Sequence, residues 1–392
     1  MSRRVLIIIG VVVGVIVLGV ATVGVLVNTV FRDSGSGGQA SDPYAPGGHY
    51  TDGCQDGPVT FTTWPVPVDR LDGIIPMGSV SSEHIDPTDH LYFAAHTSYE
   101  AADVPYVSPA DGRIVEVYSL KGLGNANLDS ARVSMDLGAV LQFGCRYYAR
   151  IAHLHDLAPE IASAVGTLDN ASQRDVNIPL TAGQVIGHVG QQSDLAILDT
   201  QAPAPSFVHL QDYAAEPWKR YTIDPLPLFP ESVRADVAGR IARKAEPVAG
   251  MFAYDVAGSA QGAWFGADQV GIPNGGGDPY WKRMLTLAPY WNDPSLAMVV
   301  IGDWNGKWGF FLAQKPMSFS SVTATSGVTV VPLVDAEAFG KIDGATPQQV
   351  AAAPVVAQLI VQVDAGEHLT AEIVSGSSAP SGFTGHQRQY AR

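Results

Sequence analysis

The stretch AGQVIGHVG at residues 182–190 places a glycine-containing turn directly before a run of Val and Ile. Glycine provides the backbone freedom that tight turns need, and β-branched residues favour strands. The earlier stretch YVSPADGRIVEVYSL, residues 106–120, has the same order: Pro109, a turn at Asp111 and Gly112, and then a β-branched run. Two turn–strand units of the same kind indicate a β-rich domain with an internal repeat.

The segments around these two units extend the β-rich domain to residues 51–225. RVSMDLGAVLQFGCRYYARIAHL, residues 132–154, has the apolar content and the length of two or three further strands. DLAPEIASAVGTL, residues 156–168, has the pattern of one short helix. Gly (41 residues) and Pro (27 residues) are frequent along the chain, which favours short strands and turns over long helices. The predicted fold class is therefore mostly β.

Residues 248–392 form a second β-rich region, which we predict to be a β-barrel or sandwich domain. AMVVIGDWNGKWGFFLAQ, residues 297–314, contains two apolar runs around Asn-Gly, the preferred sequence of a two-residue hairpin turn. A short helix is expected near residues 347–353. Residues 226–247 are rich in Pro and weakly helical, so they are predicted to connect the two domains.

The N-terminal region has the composition of a membrane anchor. Residues 5–27 contain no charged side chain, and roughly 20 apolar residues are enough to cross a bilayer. We therefore expect a transmembrane helix at residues 5–30. Arg3 and Arg4 precede it, which places residues 1–4 in the cytoplasm and the bulk of the chain on the outer side of the cell membrane.

Three further predictions follow from this placement. Residues 31–50 are rich in Gly, Ser and Pro, which is typical of a flexible linker. Gly10 and Gly14 form a GxxxG pair, a pattern through which two anchors can pack as a homodimer, although Gly is common in membrane helices generally. An extracytoplasmic location permits a disulfide between Cys54 and Cys145; the alternative is two separate buried thiols.

The charge balance excludes some classes of partner. The net charge is −15, with 46% apolar and 16% charged residues. Nucleic acids bind basic surfaces, so we predict no nucleic-acid partner. The same charge disfavours tight electrostatic binding to anionic lipids or anionic wall polymers.

Three motifs follow one another within residues 78–199: SPADGRIVEV, then YARIAHLHDL, then AGQVIGHVG. Their order resembles that of the lysostaphin/LytM-type zinc endopeptidases, which cut peptide cross-bridges in cell walls. The resemblance implies an antiparallel β-sandwich of the duplicated hybrid-motif type and a role in the cell envelope. It also implies that His153 matches an additional catalytic histidine of that family.

The zinc ligands of the family have no counterparts at the matched positions. With His90 in place of the first ligand, the residue four positions later is Ala94 and not Asp. Leu195 and Ile197 stand where the closing His-x-His is expected. The His-Leu-His at 153–155 precedes the glycine-rich strand and so falls on the wrong side of it. A catalytic zinc needs three protein ligands and an open position, so the resemblance implies a degenerate, peptidase-like domain, a pseudoenzyme.

A replacement metal site is one interpretation of the polar residues around the first motif. His84, His90 and Asp199 form a chemically sound set of ligands for zinc. The other interpretation is structural. Asp86 and Asp89 lie in turn sequences whose side chains bond to the nearby backbone, and His90 is then a core histidine with its hydrogen bonds satisfied.

Three functions remain open from the sequence. The first is binding or scaffolding at the cell envelope, with an envelope protein or a wall polymer as partner. The second is a zinc-dependent hydrolase of wall peptide or glycan. The third is binding of a small apolar or glycan ligand by the C-terminal domain, which is rich in Trp and Tyr.

Overall fold

The computed structural model describes residues 42–51, 53–81, 84–121, 135–243, 245–273 and 280–392. The predicted cytoplasmic end, the predicted transmembrane helix, the Gly10–Gly14 pair and most of the predicted linker lie outside the described residues. Within these ranges, no helix has both the length and the apolar character needed to cross a bilayer.

The first half of the described chain forms one nine-stranded antiparallel sheet with the order β1-β2-β8-β6-β5-β4-β7, and β3 and β9 also pair with β8. Where a sandwich was predicted, the strands are hydrogen-bonded into a single sheet. The strands are β1 (Leu71–Ile75), β2 (Leu91–Ala95), β3 (Val104–Val107), β4 (Gly112–Ser119), β5 (Leu137–Phe143), β6 (Tyr147–Leu157), β7 (Gln173–Leu180), β8 (Val185–Asp199) and β9 (Thr222–Ile223). Helix α1 (Pro159–Val165) follows β6, as predicted.

The two faces of this sheet differ in character. Ile151, Leu195 and Ile197 lie on the face that forms a large apolar core. Because side chains alternate along a strand, Ala196 points to the opposite face, which carries a smaller, tyrosine-rich cluster. The candidate site lies on this second face.

The predicted connector is part of the first core. It contains helix α2 (Glu231–Ala238), and its side chains Phe229, Val237 and Ile241 are buried in the large core of the sheet. Ile241 and Ile74 of β1 also form a parallel β-bridge. Residues 226–247 are therefore packed structure, and the boundary between the domains is not an open linker.

The C-terminal part forms a closed antiparallel barrel, which confirms the barrel of the two predicted alternatives. Within the described residues its strands are β10 (Gly262–Gly266), β11 (Leu285–Pro289), β12 (Ala297–Trp304), β13 (Lys307–Ala313), β14 (Thr329–Asp335), β15 (Val355–Val363), β16 (His368–Ser375) and β17 (Arg388–Ala391). One apolar cluster takes side chains from all eight strands and fills the interior. A barrel of this size has room for its own side chains or one small ligand, and here side chains occupy the space.

Two local patterns of the barrel match the sequence. Asn305 and Gly306 join β12 to β13 with φ of 54° and 82°, the left-handed pair that a type I′ turn needs. Helix α3 (Pro347–Ala352) begins at a capping box of Thr346 and Gln349. Short 3-10 helices lie at His49–Thr51, Val68–Arg70, Leu210–Tyr213, Pro217–Arg220, Leu226–Leu228, Tyr280–Arg283, Phe319–Ser321 and Glu337–Phe339.

The sheet and the barrel meet along the segment between β1 and β2. Val80 and Ile85 of this segment are buried in an apolar cluster with Trp291 and Met298 from the outer side of the barrel. Thr286 Oγ1 of β11 donates a hydrogen bond to the carbonyl oxygen of Ile85 at 2.7 Å. This contact holds the residues that lead into β2, and with them one wall of the candidate site.

Candidate functional site

The centre of the site is the carboxylate of Asp194, which lies between two histidines. Its Oδ2 is 3.7 Å from Nε2 of His90 and 3.8 Å from Nε2 of His153. The exposed fractions of the three side chains are only 12% to 15%. Two imidazoles from different elements therefore present the same ring nitrogen to one carboxylate oxygen in a nearly dry environment.

The alternation of β8 decides which of its residues faces the site. Leu195 and Ile197 are 1% and 0% exposed and lie in the large core. Asp194 lies opposite Ala152 of β6 and points to the other face. The family resemblance placed the lost ligands at Leu195 and Ile197, but these positions face away from the site.

His153 reaches the site through an irregularity in β6. The pairing of β6 with β8 shifts register between Ala152 and Leu154, and His153 has a φ of 67°. A bulge of this kind redirects a side chain that regular alternation would place elsewhere. The Nδ1 of His153 lies 3.2 Å from Oδ1 of Asp136, a carboxylate that is almost fully buried. His155 lies two residues further along β6, and its ring packs near Tyr99 instead of at the site.

His90 enters the site from the end of the segment before β2. Its Nδ1 is 2.8 Å from Oδ1 of Asp89, and its ring lies edge-on to Tyr92 at 4.6 Å between centroids. Its Nε2 is buried and has no hydrogen-bond partner. Buried polar atoms without partners are uncommon and call for an explanation. The nearest charged group to this nitrogen is the carboxylate of Asp194, at 3.7 Å, which is too far for a hydrogen bond.

The carboxylates set the charge of both central imidazoles. Burial lowers the pKa of His90, but the charge of Asp194 and the bond to Asp89 outweigh it, and the pKa is raised. Burial also lowers the pKa of His153, and the bond to Asp136 and the charge of Asp194 reverse that effect. In His84, burial and the neighbouring charge of His90 lower the pKa to about 4.

A buried lysine, Lys219, pairs with Asp89, the carboxylate that is bonded to His90. Nζ of Lys219 lies 3.0 Å from Asp86, 3.5 Å from Asp89 and 3.3 Å from Glu216. One interpretation of the sequence had Asp86 and Asp89 bonded to the nearby backbone, but both bind this lysine, 130 or more residues later in the chain. Burial lowers the pKa of Lys219, yet the three carboxylates raise it well above its usual value. The Lys219 cluster, defined by these four residues, fixes the loop that carries His90.

The predicted zinc set is not brought together. The rings of His84 and His90 are near each other, with centroids 5.8 Å apart. Asp199 lies at the far end of β8, five residues and about 16 Å of strand beyond Asp194. Both of its carboxylate oxygens accept hydrogen bonds from Arg146, at 2.7 and 2.6 Å. The set of His84, His90 and Asp199 is therefore corrected: Asp199 belongs to an ion pair outside the site.

The chain covers the second face next to these histidines with its own residues. Tyr44 and Tyr50, from the end of the predicted linker, are 1% and 7% exposed and pack on β6 with Tyr148. Arg150 of β6 lies over the ring of Trp218 at 4.0 Å and donates a hydrogen bond to the hydroxyl of Tyr44 at 3.1 Å. We call residues 42–51 the N-terminal cover.

Two further contacts hold the N-terminal cover in place. Tyr50 donates a hydrogen bond from its hydroxyl to Glu116 at 2.9 Å. Just after the cover, Cys54 and Cys145 form a disulfide across a separation of 91 residues. Trp218 also donates a hydrogen bond from Nε1 to Asp89 at 2.8 Å. This side chain of the covered face therefore contacts the carboxylate that is bonded to His90.

Asp194, Asp136 and Lys219 are the residues that inspection of the sequence missed. A signal for Asp194 was present: it is a charged residue at the start of the apolar run 195–198, on the face opposite Leu195. Asp136 carried no local signal, because His153 is 17 positions away. Lys219 has Glu216 three positions before it, but its contacts with Asp86 and Asp89 span 130 or more positions. In the described part of the chain, no group of three or more His, Cys, Asp or Glu side chains is placed so that it could hold a metal ion.

Comparisons with known proteins add little to this picture. No family model matches the chain, and no curated protein matches it. Among solved structures, the solution NMR structure of lysostaphin is similar over 60% of this chain and 84% of that chain, with 12% identity and a TM-score of 0.21. A likeness at this level is weak.

Proposed function

We propose that this chain is a membrane-anchored, extracytoplasmic protein of the cell envelope that binds or scaffolds and does not cut its partner. The observation that carries the proposal is the N-terminal cover. The face of the sheet that contains Asp194 is occupied by Tyr44, Tyr50, Trp218 and Arg150 from the same chain. A polymer substrate needs that face open in order to reach the histidines.

The burial of the site supports the same conclusion. A hydrolase acting on a wall polymer must bring a scissile bond within about 3 Å of its catalytic groups. The side chains of His90, His153 and Asp194 are each at least 85% shielded, since their exposed fractions are 15%, 14% and 12%. The cover is held by hydrogen bonds and a disulfide, so opening the face requires several contacts to break at once.

The charge of the chain favours a protein partner over an anionic wall polymer. A net charge of −15 repels polyanions in the wall unless cations screen it. A disulfide between Cys54 and Cys145 suits an oxidising, extracytoplasmic compartment. Both features support an envelope protein as the partner.

The test is a hydrolysis assay with the full chain in detergent micelles and purified cell-wall sacculi, with zinc and with a chelator. Asp194→Ala serves as the matched inactive variant. We expect the release of soluble peptide or sugar to be the same for the two proteins and to be independent of zinc. Zinc-dependent release that disappears in Asp194→Ala would show that the chain is a hydrolase.

That second function, a metal-dependent hydrolase, is favoured by one observation. His90 and His153 direct their Nε2 atoms at Asp194, and neutral imidazole with carboxylate is a donor set found in hydrolytic zinc centres. If the hydrolase is correct, shortening Tyr44 to Ala should increase release by loosening the cover. If binding is the function, the Tyr44→Ala variant should release no more than the parent chain.

A further inference from the structure

We propose that the free edge of β14, at residues 328–331 of the barrel, binds an extended segment of a partner protein as an added β-strand. The groove beside this edge fits an apolar segment that carries an acidic residue. This inference rests on the proposed function, because it names a surface through which a binding protein would hold a protein partner.

The pairing of β13 with β14 stops before β14 is fully covered. The last pair in their register is Ala313 with Leu333. Gln314 then donates a main-chain hydrogen bond to the carbonyl oxygen of Pro332 at 2.9 Å. The next residue of the chain in hydrogen-bonding phase is Pro316, which has no N–H to donate. The first residues of β14 therefore have no strand beside them on this side.

The register of β14 with β15 shows which backbone groups are free. Pro332 lies opposite Gln358, and Val330 lies opposite Ile360. Along an antiparallel pair, successive residues alternate between facing the partner strand and facing away from it. Because the carbonyl of Pro332 faces Gln314, the N–H and C=O of Val330 face the same side. Among the described residues, no main-chain group bonds to either of them.

A groove of about 350 Å³ runs along this free edge, and its lining is largely apolar. Val322 and Val331 belong to the buried core cluster of the barrel, and Met317 is half-buried. Val328, directly before β14, is 44% exposed. A strand laid in the groove would pair with Val330 and also bury apolar surface. Strand addition works in this way, since main-chain bonds supply affinity and side-chain contacts supply specificity.

The free edge lacks the features that normally keep other strands away. Proteins protect exposed strand edges with charged residues, with Pro or with a covering segment. Residues 328–331 read Val-Thr-Val-Val and contain neither a charge nor Pro. The edge strand of the sheet, β7, instead carries Arg174, Asp175 and Pro179. The same chain thus protects one edge and leaves the other suited to a partner strand.

The charge around the groove indicates what kind of partner binds. Lys315 lines the groove and is exposed, and among the described residues it has no ion-pair partner. An unpaired cation favours an acidic residue in the bound segment. The net charge of −15 makes two copies of the chain repel each other. The occupant is therefore a segment of a different protein and not a second copy.

The first experiment titrates the full chain in detergent with the synthetic peptide acetyl-Glu-Val-Thr-Val-Thr-Glu-amide. A groove that recognises an extended main chain should bind this peptide with a Kd of about 1 mM or tighter. The same peptide with every amide N-methylated cannot donate to a strand and should not bind. Absence of binding by the unmethylated peptide, or equal binding of the two, would overturn the proposal.

Substitutions at Val330 separate the main chain from the side chain. Val330→Pro removes the N–H and should weaken peptide binding at least about 10-fold. Pro332, which has the same orientation, shows that β14 accepts proline at such a position. Val330→Thr keeps the N–H and the branched shape, so its affinity should stay within about 3-fold of the parent chain. Equal affinities of the two variants would contradict strand addition.

A pair of lysines tests the charge. Lys315→Gln should weaken binding of the acidic peptide by about 2- to 5-fold, which is the size of an exposed ion pair. Lys307→Gln is the matched control, because Lys307 is exposed at the other end of β13, and it should leave the affinity unchanged. Equal effects of the two substitutions would mean that the peptide responds to overall charge and not to the groove.

Amide hydrogen exchange resolved to single residues needs no variant to fold. The peptide should slow exchange of the Val330 amide at least about 10-fold, whereas the Val331 amide, which faces β15, should be slow with and without it. Unchanged exchange at Val330 would place the peptide elsewhere and overturn the proposal.

Sedimentation of the parent chain and of Val330→Pro identifies the occupant. Self-association that is lost in Val330→Pro would show that a second copy fills the groove, against the proposal. Failure of the peptide experiments alone would leave the binding function to another surface. Zinc-dependent release of wall fragments in the hydrolysis assay would instead reject the binding function itself, so the two failures are distinguishable.

Discussion

The ammonium group of Lys219, in the 3-10 helix Pro217–Arg220, lies within 3.5 Å of the carboxylates of Asp86, Asp89 and Glu216, so one cation compensates the charge of three acids. We predict that Lys219→Met destabilises the protein by about 3–5 kcal/mol, because removing one member of a buried ion cluster leaves the others uncompensated. Urea unfolding followed by tryptophan fluorescence measures this change in the free energy of unfolding.

An exposed lysine from the barrel side provides the control for this prediction. Lys282 lies in the 3-10 helix Tyr280–Arg283 and is exposed, so Lys282→Met should change the free energy of unfolding by no more than about 0.5 kcal/mol. Similar losses in the two variants would mean that the methionine, and not the lost ion cluster, causes the change. The same result would mean that the ion pairs of Lys219 do not stabilise the loop that carries His90.

At the scale of elements, the N-terminal cover depends on the disulfide that follows it. The bond closes a loop of 91 residues between Cys54 and Cys145. A loop of this length restricts the unfolded chain strongly, so Cys54→Ser with Cys145→Ser should lower the free energy of unfolding by roughly 2–4 kcal/mol. Urea unfolding under non-reducing conditions measures this change in the free energy of unfolding.

Reductant is the matched control, because the chain has two cysteines in all. Reductant should destabilise the parent chain about as much as the double substitution does, and it should leave the double variant unchanged. If the parent chain has the same stability with and without reductant, the disulfide does not hold the N-terminal cover, and only the hydrogen bonds and ring contacts of the cover keep the face closed.

Elements whose signals are local could be predicted from the sequence. The Asn305–Gly306 hairpin, helix α1 and helix α3 each depend on residues within a few positions of one another, and all three are present. The site could not be predicted in the same way. It depends on the pairing of Asp194 with Ala152 and on a bulge at His153, and neither is encoded in a short stretch.

The alternation of faces and the length of β8 explain where the family comparison and the predicted zinc set place their residues. A shift of one residue along a strand exchanges its two faces, so placing the ligand positions at Leu195 and Ile197 put them in the core. Asp199 was grouped with His84 and His90 for its ligand chemistry, but β8 is 15 residues long and carries Asp199 far from the histidines. Periodicity identifies the faces of a strand, whereas its partners and its length determine what meets there.

At the scale of the whole molecule, the sheet and the barrel meet around buried polar groups as well as apolar ones. Tyr280, at the start of a 3-10 helix before β11, donates a hydrogen bond from its hydroxyl to Glu216 of the Lys219 cluster at 3.3 Å. Arg243 of the segment after α2 donates from a guanidinium nitrogen to the carbonyl oxygen of Trp291 at 2.6 Å. The stability of this contact region therefore depends on the protonation of Glu216.

Burial raises the pKa of Glu216 to about 7, although Lys219 lowers it; Asp86 and Asp89 add to the rise. In the unfolded chain the same group has its ordinary pKa of 4.5. Between these two values the folded state holds one proton more than the unfolded state. The free energy of unfolding should therefore fall as the pH rises from about 4.5 to about 7, by up to about 3 kcal/mol from this group.

Glu216→Gln removes this titration and keeps the size and the hydrogen-bonding capacity of the side chain. The neighbouring Lys219 and Asp89 retain their charges through this window, because the pKa of Lys219 is raised and that of Asp89 is lowered. Urea unfolding at half-unit steps from pH 4.5 to 7.5 should give a steeper fall for the parent chain than for the variant. Parallel curves would show that Glu216 does not hold the extra proton in the folded state, and its protonation would then contribute nothing to the stability of the contact between sheet and barrel.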